Sequence, residues 1–576
     1  MGINIKILKS IKHQIYFSCL FLKLFIVISV SAQPVTIKPI VLKIDSILKE
    51  RGEAYIAIPP DQHKSALMLA EFFSLDNFRN DTAFFYITAK DTSLLYLSGI
   101  DFLLLTAPSL IRSVTMAGSI PEVLSGQAYP TWHQYLSIME LFKDEYPDIL
   151  EIDTIGYSIK NKPILAVRFH TGITPAEERP VVFLSSTMHG DELPGYIILL
   201  MLIEELTSRY QNSQDIRNLL DQVILIINPL ANPDGTYYLN DSTVYGSKRT
   251  NLNNIDLNRN FPDPVVPGIP DGHPIQPENQ AMMDYMQKFP PKLSANIHSG
   301  AEVVNYPWDS SILLHPDDSW FHFISREFAD TARAGHPSYM NNFPGGITNG
   351  ADWYIIYGGR QDYVTAFLQG REITLEVSDV KIPPASELLY YFERTRQSLI
   401  NYIKQATYGL HGKVTDEETD EPLKVRINIS GHDSGYSFVY SDSITGTFTR
   451  FLKEGSYRVI FEHQDYISKI FEINISDYNR MDLHVQLRKN DSTIPPQDFI
   501  RYQNPFIGEF TLLFYSEISE KIKVELFTIS GQHVQTKFQD VIEGDNNVFI
   551  NKLPPGIYFL KITTSEKEIV RKIIGL

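Results

Sequence analysis

The chain has almost no cysteine. Its one cysteine among 576 residues, Cys19, lies within an N-terminal apolar segment. The residues before it, Tyr16, Phe17 and Ser18, do not form a lipoprotein box. Without that segment the chain has no disulfide and no thiolate metal site, so any metal ion must bind histidine and carboxylate side chains.

Positive charge is also scarce. The chain has 51 Lys and Arg against 68 Asp and Glu, a formal net charge of −17. A protein that binds nucleic acid needs a basic field to collect phosphates, so we expect no nucleic acid partner. The acidic balance suits cationic substrates, although net charge alone identifies no particular site.

Long internal repeats are absent as well. No period of about 20–50 residues recurs, which excludes a solenoid. The hydrophobic content of 43% and the aromatic content of 12% are globular values. At roughly 150 residues per domain, the length predicts three or four domains.

Residues 1–32 have the pattern of a signal peptide. Lysines precede an apolar run that ends in "VSA", and the small residues there predict Gln33 as the mature start. The alternative is a membrane anchor, but the run is short for a span and Lys23 interrupts it. We therefore expect export.

Hydrophobic patterning divides the remaining chain into five segments. They are an α+β region with a linker (33–125), an α/β domain (126–407), a β-sandwich (408–488), a polar linker (489–499) and a second small β domain (500–576). In the α/β domain, apolar runs such as "PVVFLSS" and "QVILIINPL" alternate with helical stretches such as "GYIILLMLIEELTSRY". This alternation predicts a sheet with helices on both faces, with the chemistry in loops at strand ends.

The stretch "SSTMHGDELPG" places His189 and Glu192 three residues apart, between an apolar strand and a helical run. A catalytic zinc ion takes three protein ligands, often two His and one Glu, and leaves a fourth position for water. His298, at the end of the strand-like "LSANIHSG", offers the third ligand. Taken singly, each is more commonly a hydrogen-bonded loop residue, and the pattern assigns no role to Asp191.

Two further segments add charged groups. "NNIDLNRNFPD" contains Asn258 and Arg259, with Arg249 shortly upstream. Arginine can bind a carboxylate or stabilise an oxyanion. Glu376 lies on the strand "EITLEVSD", where a carboxylate can exchange protons with a water at a metal ion. For Asn258 and Arg259 the alternative is a solvated loop with an ordinary salt bridge. For the glutamates the alternative is a sheet-edge residue that faces solvent, which suits Glu372 better than Glu376.

Residues 126–406 resemble a zinc metallocarboxypeptidase of the funnelin type. Nine motifs match in order: "TMHGDE", "NPDG", "NLNNIDLNRNFPD", "QPEN", "IHSG", "NYPWD", "ITNGADWY", "GGRQDY" and "EITLEVS". The resemblance implies an α/β fold with a mixed eight-stranded sheet. The implied ligands of one zinc ion per chain are His189, Glu192 and His298. The implied catalytic residues are Glu376, as general acid and base, and Arg249, which stabilises the oxyanion. The implied partners of the substrate's terminal carboxylate are Asn258, Arg259 and Tyr354.

The motifs are most similar to the regulatory N, E, M and D type of these enzymes. That subfamily favours substrates that end in Lys or Arg. The resemblance implies that Asp309 and Gln361 recognise the cationic side chain here. An acid and an amide oxygen at the bottom of a pocket select a long cationic side chain. The alternative is that Asp309 caps a loop. Arg360 and Val364 depart from the usual pattern, and a nearby arginine would weaken a cationic preference.

The flanking segments carry resemblances of their own. Residues 408–488 resemble the transthyretin-like domain of the same enzymes, a packing or folding partner, with carbohydrate binding as the alternative. Residues 33–125 are either a removable propeptide or a permanent accessory region, and no dibasic cleavage signal is obvious in the linker.

Residues 500–576 resemble the C-terminal sorting domain of type IX secretion, a route of Bacteroidota. "VELFTISGQHV", "LPPGIYFLKI" and "RKIIGL" carry the likeness. This implies the type IX secretion machinery as a partner and a location outside the cell or on the outer-membrane surface, reached through the periplasm. The alternative is an Ig-like adhesion module.

Together these features predict a secreted zinc carboxypeptidase that acts on peptide or protein C-termini. Two other functions stay open at this point. The first is a carboxypeptidase of cell-wall peptides, which uses the same zinc core. The second is a surface binding protein on a peptidase scaffold, against which the intact ligand and base residues argue.

Overall fold

The computed structural model describes most of the chain from residue 39 onward. The described residues are 39–172, 175, 178–490, 500–502, 510–516, 518–542, 544–550, 553–565 and 568–575. The predicted signal peptide, Gln33 and most of the predicted linker 489–499 lie outside them. The chain forms two compact units, the first of residues up to 461 with 469–486, the second of residues 462–468 with 487 onward. Among the described residues, no helix is long and apolar enough to cross a bilayer.

Residues 39–110 fold as a small α+β layer, here called the N-terminal unit. Its strands are β1 (Glu53–Ile58), β2 (Ser74–Arg79), β3 (Thr82–Thr88) and β4 (Leu103–Leu105), and its helices are α1 (Pro39–Arg51), α2 (His63–Leu69) and α3 (Thr92–Ser98). The strands pair antiparallel in the order β2-β3-β1-β4. Side chains alternate along β1, so Ile56 and Ile58 enter the core under the helices. Glu53 and Tyr55 therefore lie on the opposite face, where Glu53 contacts the α/β domain.

A mixed eight-stranded sheet forms the centre of the α/β domain, as predicted. Its strands are β5 (Leu150–Tyr157), β6 (Pro163–Phe169), β7 (Val181–Ser186), β8 (Ile224–Asn228), β9 (Pro291–His298), β10 (Glu302–Tyr306), β11 (Ile347–Asn349) and β12 (Arg371–Val377). They lie in the order β11-β10-β12-β9-β7-β8-β6-β5. The inner strands β8, β7, β9 and β12 run parallel to their neighbours within that group. They are almost wholly buried because helices cover both faces.

The helices of the α/β domain are α4 (Ile120–Leu124), α5 (Trp132–Glu145), α6 (Pro194–Tyr210), α7 (Gln214–Leu220), α8 (Pro233–Thr236), α9 (Pro277–Lys288), α10 (Asp318–Arg333), α11 (Gly350–Trp353), α12 (Arg360–Phe367) and α13 (Leu388–Gln405). One apolar core joins the sheet to α5, α6, α7, α10 and α13. A second core joins the other face to α9 and α12. The prediction of helices on both faces is therefore confirmed.

Strand register brings chemistry to one edge of this sheet. Strands β7, β9 and β12 are parallel neighbours, so their carboxyl ends meet. His298 is the last residue of β9 and is the register partner of Glu376 on β12. His189 follows the end of β7 by three residues. The fold thus gathers three polar side chains from distant parts of the sequence at one place.

Seven strands form a β-sandwich after α13, and all of their residues except Glu462 and Leu487 lie in the first compact unit. They are β13 (Gly409–Asp416), β14 (Arg426–Ile429), β15 (Val439–Tyr440), β16 (Thr447–Arg450), β17 (Gly455–Glu462), β18 (Lys469–Ile475) and β19 (Arg480–Leu487). The two sheets have the orders β16-β13-β19 and β15-β14-β17-β18.

The β-sandwich meets the α/β domain through stacked rings and a buried ion network. The rings of Trp320 and Phe451 are parallel, with centroids 5.0 Å apart. Arg450 of the sandwich and Arg371 of β12 both pair with the buried carboxylate of Asp317, at 2.7 Å.

The second compact unit, described by itself, is all β. Its described strands are β20 (Ile500–Tyr502), β21 (Phe510–Ser516), β22 (Glu520–Thr528), β23 (His533–Val541), β24 (Gly544–Ile550), β25 (Gly556–Thr563) and β26 (Glu568–Gly575). They form sheets of order β20-β21-β24 and β23-β22-β25-β26. Alternating apolar residues such as Phe514, Val524 and Leu560 fill the space between the sheets.

Candidate active site

The three potential metal ligands lie within reach of a single ion. Nδ1 of His189 is 3.0 Å from Oε1 of Glu192, and Nδ1 of His298 is 2.8 Å from Oε2. The two Nδ1 atoms are 3.1 Å apart. All three donors lie within 4.8 Å of one another and are buried. Two imidazoles and one carboxylate are the donor set of a catalytic zinc site with an open fourth position.

A close backbone approach shapes the ligand loop. Gly190 lies against the last two residues of α8, where an added Cβ would be 2.5 Å from the carbonyl carbon of Gly235. Its N–H donates to the carbonyl of Arg249 at 3.2 Å. Only glycine fits this position, so the loop containing His189 and Glu192 is fastened to the loop that carries Arg249.

The outer nitrogens of both histidines have polar neighbours. Nε2 of His189 lies 2.9 Å from Oδ1 of Asp256, which favours a proton on Nε2 and leaves Nδ1 free to bind a metal. Nε2 of His298 lies 2.6 Å from the amide nitrogen of Asn296, whose Oδ1 is buried and without a partner among the described atoms. The opposite amide orientation places Oδ1 at Nε2–H and frees Nδ1 of His298 in the same way.

Burial and charge set the protonation of these groups. Burial lowers the pKa of His298 to about 4, which favours the neutral imidazole that a metal needs. Burial opposes ionisation of Glu192, but His189 and Lys381 outweigh it and hold the pKa of this carboxyl well below its usual range. His298 and Glu192 are therefore in the protonation states that bind a cation. Burial and Arg249 oppose protonation of His189, but the Glu192 and Asp256 carboxylates outweigh them and raise its pKa, so a metal ion must displace a proton there.

Glu376 faces the same pocket as the three ligands. Its Oε2 is buried and has no hydrogen-bond partner in the described part of the chain. Burial, and then the nearby Glu192 carboxylate, raises the pKa of Glu376 well above its usual range. An unpartnered acceptor beside two imidazoles and a carboxylate fits a site that holds a metal ion and a water.

Two cations touch the Glu192 carboxylate. Arg249 donates from Nη1 to Oε1 at 2.8 Å, and Lys381 donates to the same oxygen at 2.9 Å. Sequence reasoning missed Lys381, although it follows Glu376 by only five residues. Lys381 also pairs with Asp76 and Asp191, and these carboxylates outweigh its burial and raise its pKa.

Asp191 and Asp76 are the other residues that sequence reasoning left without a place. Asp191 is fully buried and accepts the hydroxyl of Tyr86, while Asp76 accepts the hydroxyl of Tyr55 at 2.8 Å. Both tyrosines and Asp76 belong to the N-terminal unit. The contact of the N-terminal unit with this pocket has no local sequence signal, because the residues that meet, Tyr86 with Asp191 and Asp76 with Lys381, are more than 100 positions apart.

Arg259 faces the pocket with a free donor. Its Nη1 donates to the carbonyl of Asn258 at 2.9 Å, and its Nη2 is buried with no acceptor within the described residues. Asn258 and Tyr354 line the same pocket. A buried guanidinium nitrogen without an acceptor fits an incoming carboxylate.

Asp309 and Gln361 are in contact. Oδ1 of Asp309 accepts from the amides of Gln361 and Asn305, at 3.0 and 3.1 Å. The oxygens of both amides are buried and have no partner in the described structure. Gly350 permits this packing, since a Cβ there would lie 1.9 Å from Oδ1 of Asp309. The described donors to this carboxylate are side-chain amides, which is not the pattern of a loop cap.

Arg360 does not bring free charge to this pocket. Its guanidinium is fully buried and pairs with Glu372, with Nε 3.0 Å from Oε1. Glu372 is likewise 0% exposed on β12, which lies between β9 and β10. The interpretation of Glu372 as a solvent-facing edge residue is therefore wrong. The expected weakening of a cationic preference by Arg360 also lacks support, because Glu372 neutralises it.

A second group of potential ligands occurs where the β-sandwich joins the α/β domain. It comprises Asp317, His432 and Asp433. Arg450 donates to both carboxylates and Arg371 donates to Asp317. Two guanidinium groups already neutralise this cluster, so it differs from the His189–Glu192–His298 site.

Comparison with known proteins identifies two regions. Residues 135–398 match the family model described as zinc carboxypeptidase, and residues 502–575 match the secretion system C-terminal sorting domain. Carboxypeptidase M of Mus musculus is 33% identical over 345 residues, which cover 56% of this chain and 76% of that protein. The catalytic chain of carboxypeptidase N of Mus musculus is 30% identical over 406 residues, covering 63% of this chain and 87% of that one.

Longer relatives and solved structures also match. Carboxypeptidase D of Homo sapiens is 33% identical over 391 residues, which cover 62% of this chain but 28% of that protein. This chain thus spans less than a third of the carboxypeptidase D sequences it matches. The crystal structure of carboxypeptidase A from Helicoverpa armigera aligns with a TM-score of 0.48 at 18% identity, covering 62% of this chain and 97% of that one. On the extent of the match to carboxypeptidases M and N, this chain belongs to the zinc carboxypeptidase family.

Proposed function

We propose that the protein is a secreted, zinc-dependent metallocarboxypeptidase that removes single C-terminal Lys or Arg residues from peptides or proteins. One observation carries the proposal. A buried cluster of His189, Glu192 and His298 shares its pocket with Arg259, whose Nη2 has no acceptor among the described residues. A metal site beside a free carboxylate-binding group is what an exopeptidase needs.

The three ligands would hold one zinc ion through Nδ1 of each histidine and the carboxylate of Glu192. When bound, zinc polarises the substrate carbonyl and makes water more acidic. Glu376 would accept the proton of the attacking water at its unpartnered Oε2 and pass it to the nitrogen of the leaving residue as the C–N bond breaks. Arg249, beside Glu192, would stabilise the negative charge that develops on the carbonyl oxygen.

Asn258, Arg259 and Tyr354 would bind the free carboxylate of the substrate. Only a chain end brings a carboxylate to this position, so the clamp makes the enzyme an exopeptidase. Arg259 is the main contributor, because its fork can bind both carboxylate oxygens.

The preference for Lys or Arg rests on the acceptors around Asp309. A carboxylate and the two unpartnered amide oxygens of Asn305 and Gln361 form a buried set of acceptors. An ammonium group has three donors and a guanidinium group has five, so either can satisfy this set. An apolar side chain would leave the acceptors buried and unpaired, which costs binding energy.

The remaining segments serve export and support. We assign residues 33–125 to an accessory region that borders the active site, 408–488 to a transthyretin-like support domain and 500–576 to a sorting domain of type IX secretion. The sorting domain would engage the secretion machinery after export through the periplasm in a bacterium of the Bacteroidota type. The enzyme would then be released or attached to the outer-membrane surface.

One experiment separates this function from its alternatives. The purified full chain is assayed for zinc content and for release of Arg, Lys, Phe and Glu from matched dipeptides, with and without a chelator. A diaminopimelate-containing peptide is included in the same panel. We expect about one zinc per chain and chelator-sensitive release of Arg and Lys. Preferred release of Phe would overturn the basic preference. Activity confined to a diaminopimelate-containing peptide would indicate a cell-wall enzyme, and bound zinc without hydrolysis would indicate a binding protein.

A further inference from the structure

The loop that carries Arg249 is held from outside the α/β domain. Arg51 of the N-terminal unit donates to the carbonyl of Gly246 at 2.9 Å and also to the carbonyl of Ser247. The N–H of Gly246 donates to the carbonyl of Ser109 at 2.9 Å. These contacts join residues separated by more than 130 positions, and they fix the start of the loop.

Glu53 on β1 fixes the other end of the loop. Its Oε1 accepts the N–H of Arg249 at 3.2 Å, and its Oε2 accepts the N–H of Thr250 at 3.2 Å and the Thr250 hydroxyl at 2.8 Å. Glu53 is 1% exposed, and its charge is balanced by Arg51 at 3.3 Å. Without this carboxylate, two buried backbone N–H groups beside Arg249 would lose their acceptor.

The N-terminal unit also holds the side chain of Arg249. Nε donates to the hydroxyl oxygen of Ser74 at 2.7 Å, and Nη2 lies 3.4 Å from the carbonyl of Leu75. Ser74 and Leu75 are the first residues of β2. These contacts leave Nη1 directed at Glu192, 2.8 Å away. The backbone and the guanidinium of Arg249 are thus positioned by two different strands of the same unit.

We propose that Glu53 and Ser74 are positioning residues for Arg249, so the N-terminal unit is a working part of the active site. The inference rests on the proposed function, in which Arg249 stabilises the oxyanion. It chooses between the two interpretations of residues 33–125. A removable propeptide would take Glu53 and Ser74 away from Arg249 when it leaves, whereas a permanent accessory region keeps them in place.

The test uses the full chain with Glu53→Gln, Ser74→Ala and Arg249→Ala, alone and combined. Glutamine keeps the size of Glu53 but loses one acceptor oxygen and the charge. We expect Glu53→Gln to lower kcat by about 10- to 100-fold, since a misplacement of about 1 Å at a catalytic group has effects of that order. KM should change by less than about threefold, because Arg249 acts on the transition state. In the Arg249→Ala background, Glu53→Gln should cause no further loss.

Asp91→Asn is the matched control. Asp91 is a buried carboxylate of the same unit, but it bonds within that unit, to the N–H and hydroxyl of Thr88. We expect it to change kcat by less than about twofold, the range of a substitution that spares the site. Zinc content and far-UV circular dichroism establish that each variant is folded.

Hydrogen exchange provides a readout that does not need activity. Glu53→Gln should speed exchange in peptides containing residues 246–250, and Asp91→Asn should not. Unchanged hydrogen exchange in residues 246–250 would overturn the inference, whether or not the wild type is active. An inactive wild type would count separately, against the proposed function. Equal losses of kcat in the presence and absence of Arg249, or a rise in kcat for Glu53→Gln, would also overturn it.

Discussion

The ammonium of Lys381 lies 2.9 Å from Oε1 of Glu192, so a protein cation and the predicted metal site share one carboxylate. Lys381 is also the common partner of Asp76 and Asp191, and all four side chains are buried. Removing one member of a buried ion network leaves uncompensated charge. The lysine therefore matters most when no metal balances Glu192.

Lys381→Met tests this relationship. We expect a loss of about 3–5 kcal/mol in the free energy of unfolding of the chelator-treated protein, the usual cost of breaking a buried pair. The zinc-loaded protein should lose less, since the ion supplies positive charge beside Glu192. Denaturant unfolding in both states measures the difference. The control is Lys404→Met, an exposed lysine at the end of α13. Equal losses in both states would contradict the prediction.

Glu376→Gln should leave zinc binding intact and remove nearly all turnover. A positioned general acid and base contributes about 10²- to 10⁴-fold, and the amide cannot accept the proton. Steady-state kinetics on a C-terminal Arg substrate measure the turnover, and metal analysis measures the zinc content. Glu393→Gln, on the exposed side of α13, is the control. Substantial residual activity in Glu376→Gln would remove Glu376 from its proposed role.

Asp309→Asn should alter substrate choice more than catalysis. Burial, and then the Asp362 carboxylate, raises the pKa of Asp309 well above its usual range, so a cationic side chain must displace its proton to form a charge pair. We expect kcat/KM for a C-terminal Arg substrate to fall by about 100-fold, because Asn cannot form that pair. The value for a C-terminal Phe substrate should change far less. Asp352→Asn, an exposed neighbour on α11, is the matched control. Parallel losses on both substrates would assign Asp309 to structure and not to recognition.

Glu302 on β10 predicts a pH dependence of stability. Burial, and then the Asp379 carboxylate, raises the pKa of the Glu302 carboxyl from 4.5 to about 7. The folded protein therefore binds the proton more tightly than the unfolded chain, and the stability gained from protonation is lost as pH rises from about 4.5 to 7. Glu302→Gln should remove this part of the slope. Unfolding midpoints measured about one pH unit apart, at roughly pH 5, 6, 7 and 8, test this slope. The control is Glu140→Gln, on the exposed face of α5.

Deleting residues 500–576 tests the export route. The shortened enzyme should accumulate in the periplasm, since the segment matched by the sorting-domain model is missing. Activity in fractionated cells and medium, against a periplasmic marker, measures the shift. Unchanged activity at the cell surface or in the medium would mean that another segment directs export.

Where the candidate residues follow strands, their meeting in space can be predicted from the sequence. His189 and His298 come at or just after apolar runs, and parallel strands bring such positions to one edge. Lys381 and Asp76 could not be predicted in this way. They meet because the N-terminal unit packs on the α/β domain, and no local periodicity reports contacts between distant segments.

Glu372 illustrates a different limit. A glutamate on an apolar strand is most simply placed at a sheet edge, yet here it lies inside the sheet. Its partner Arg360 comes from α12, so the pair is satisfied only once helix and strand have docked. Strand alternation fixes which face a residue points to, but the helices packed on that face decide whether it is buried.

The Asp317 network has a consequence for how the molecule comes apart. Arg371 belongs to the sheet and Arg450 to the β-sandwich, and both neutralise the Asp317 carboxylate. Trp320 and Phe451 stack across the same interface. A chain that ends at residue 407 would lack Arg450 and Phe451. Asp317 would then keep only Arg371 of its two arginine partners, and the ring face of Trp320 that packs on Phe451 would be exposed to solvent. The α/β domain and the sandwich should therefore melt in a single cooperative transition, and a chain that ends at the domain boundary should be the less stable one.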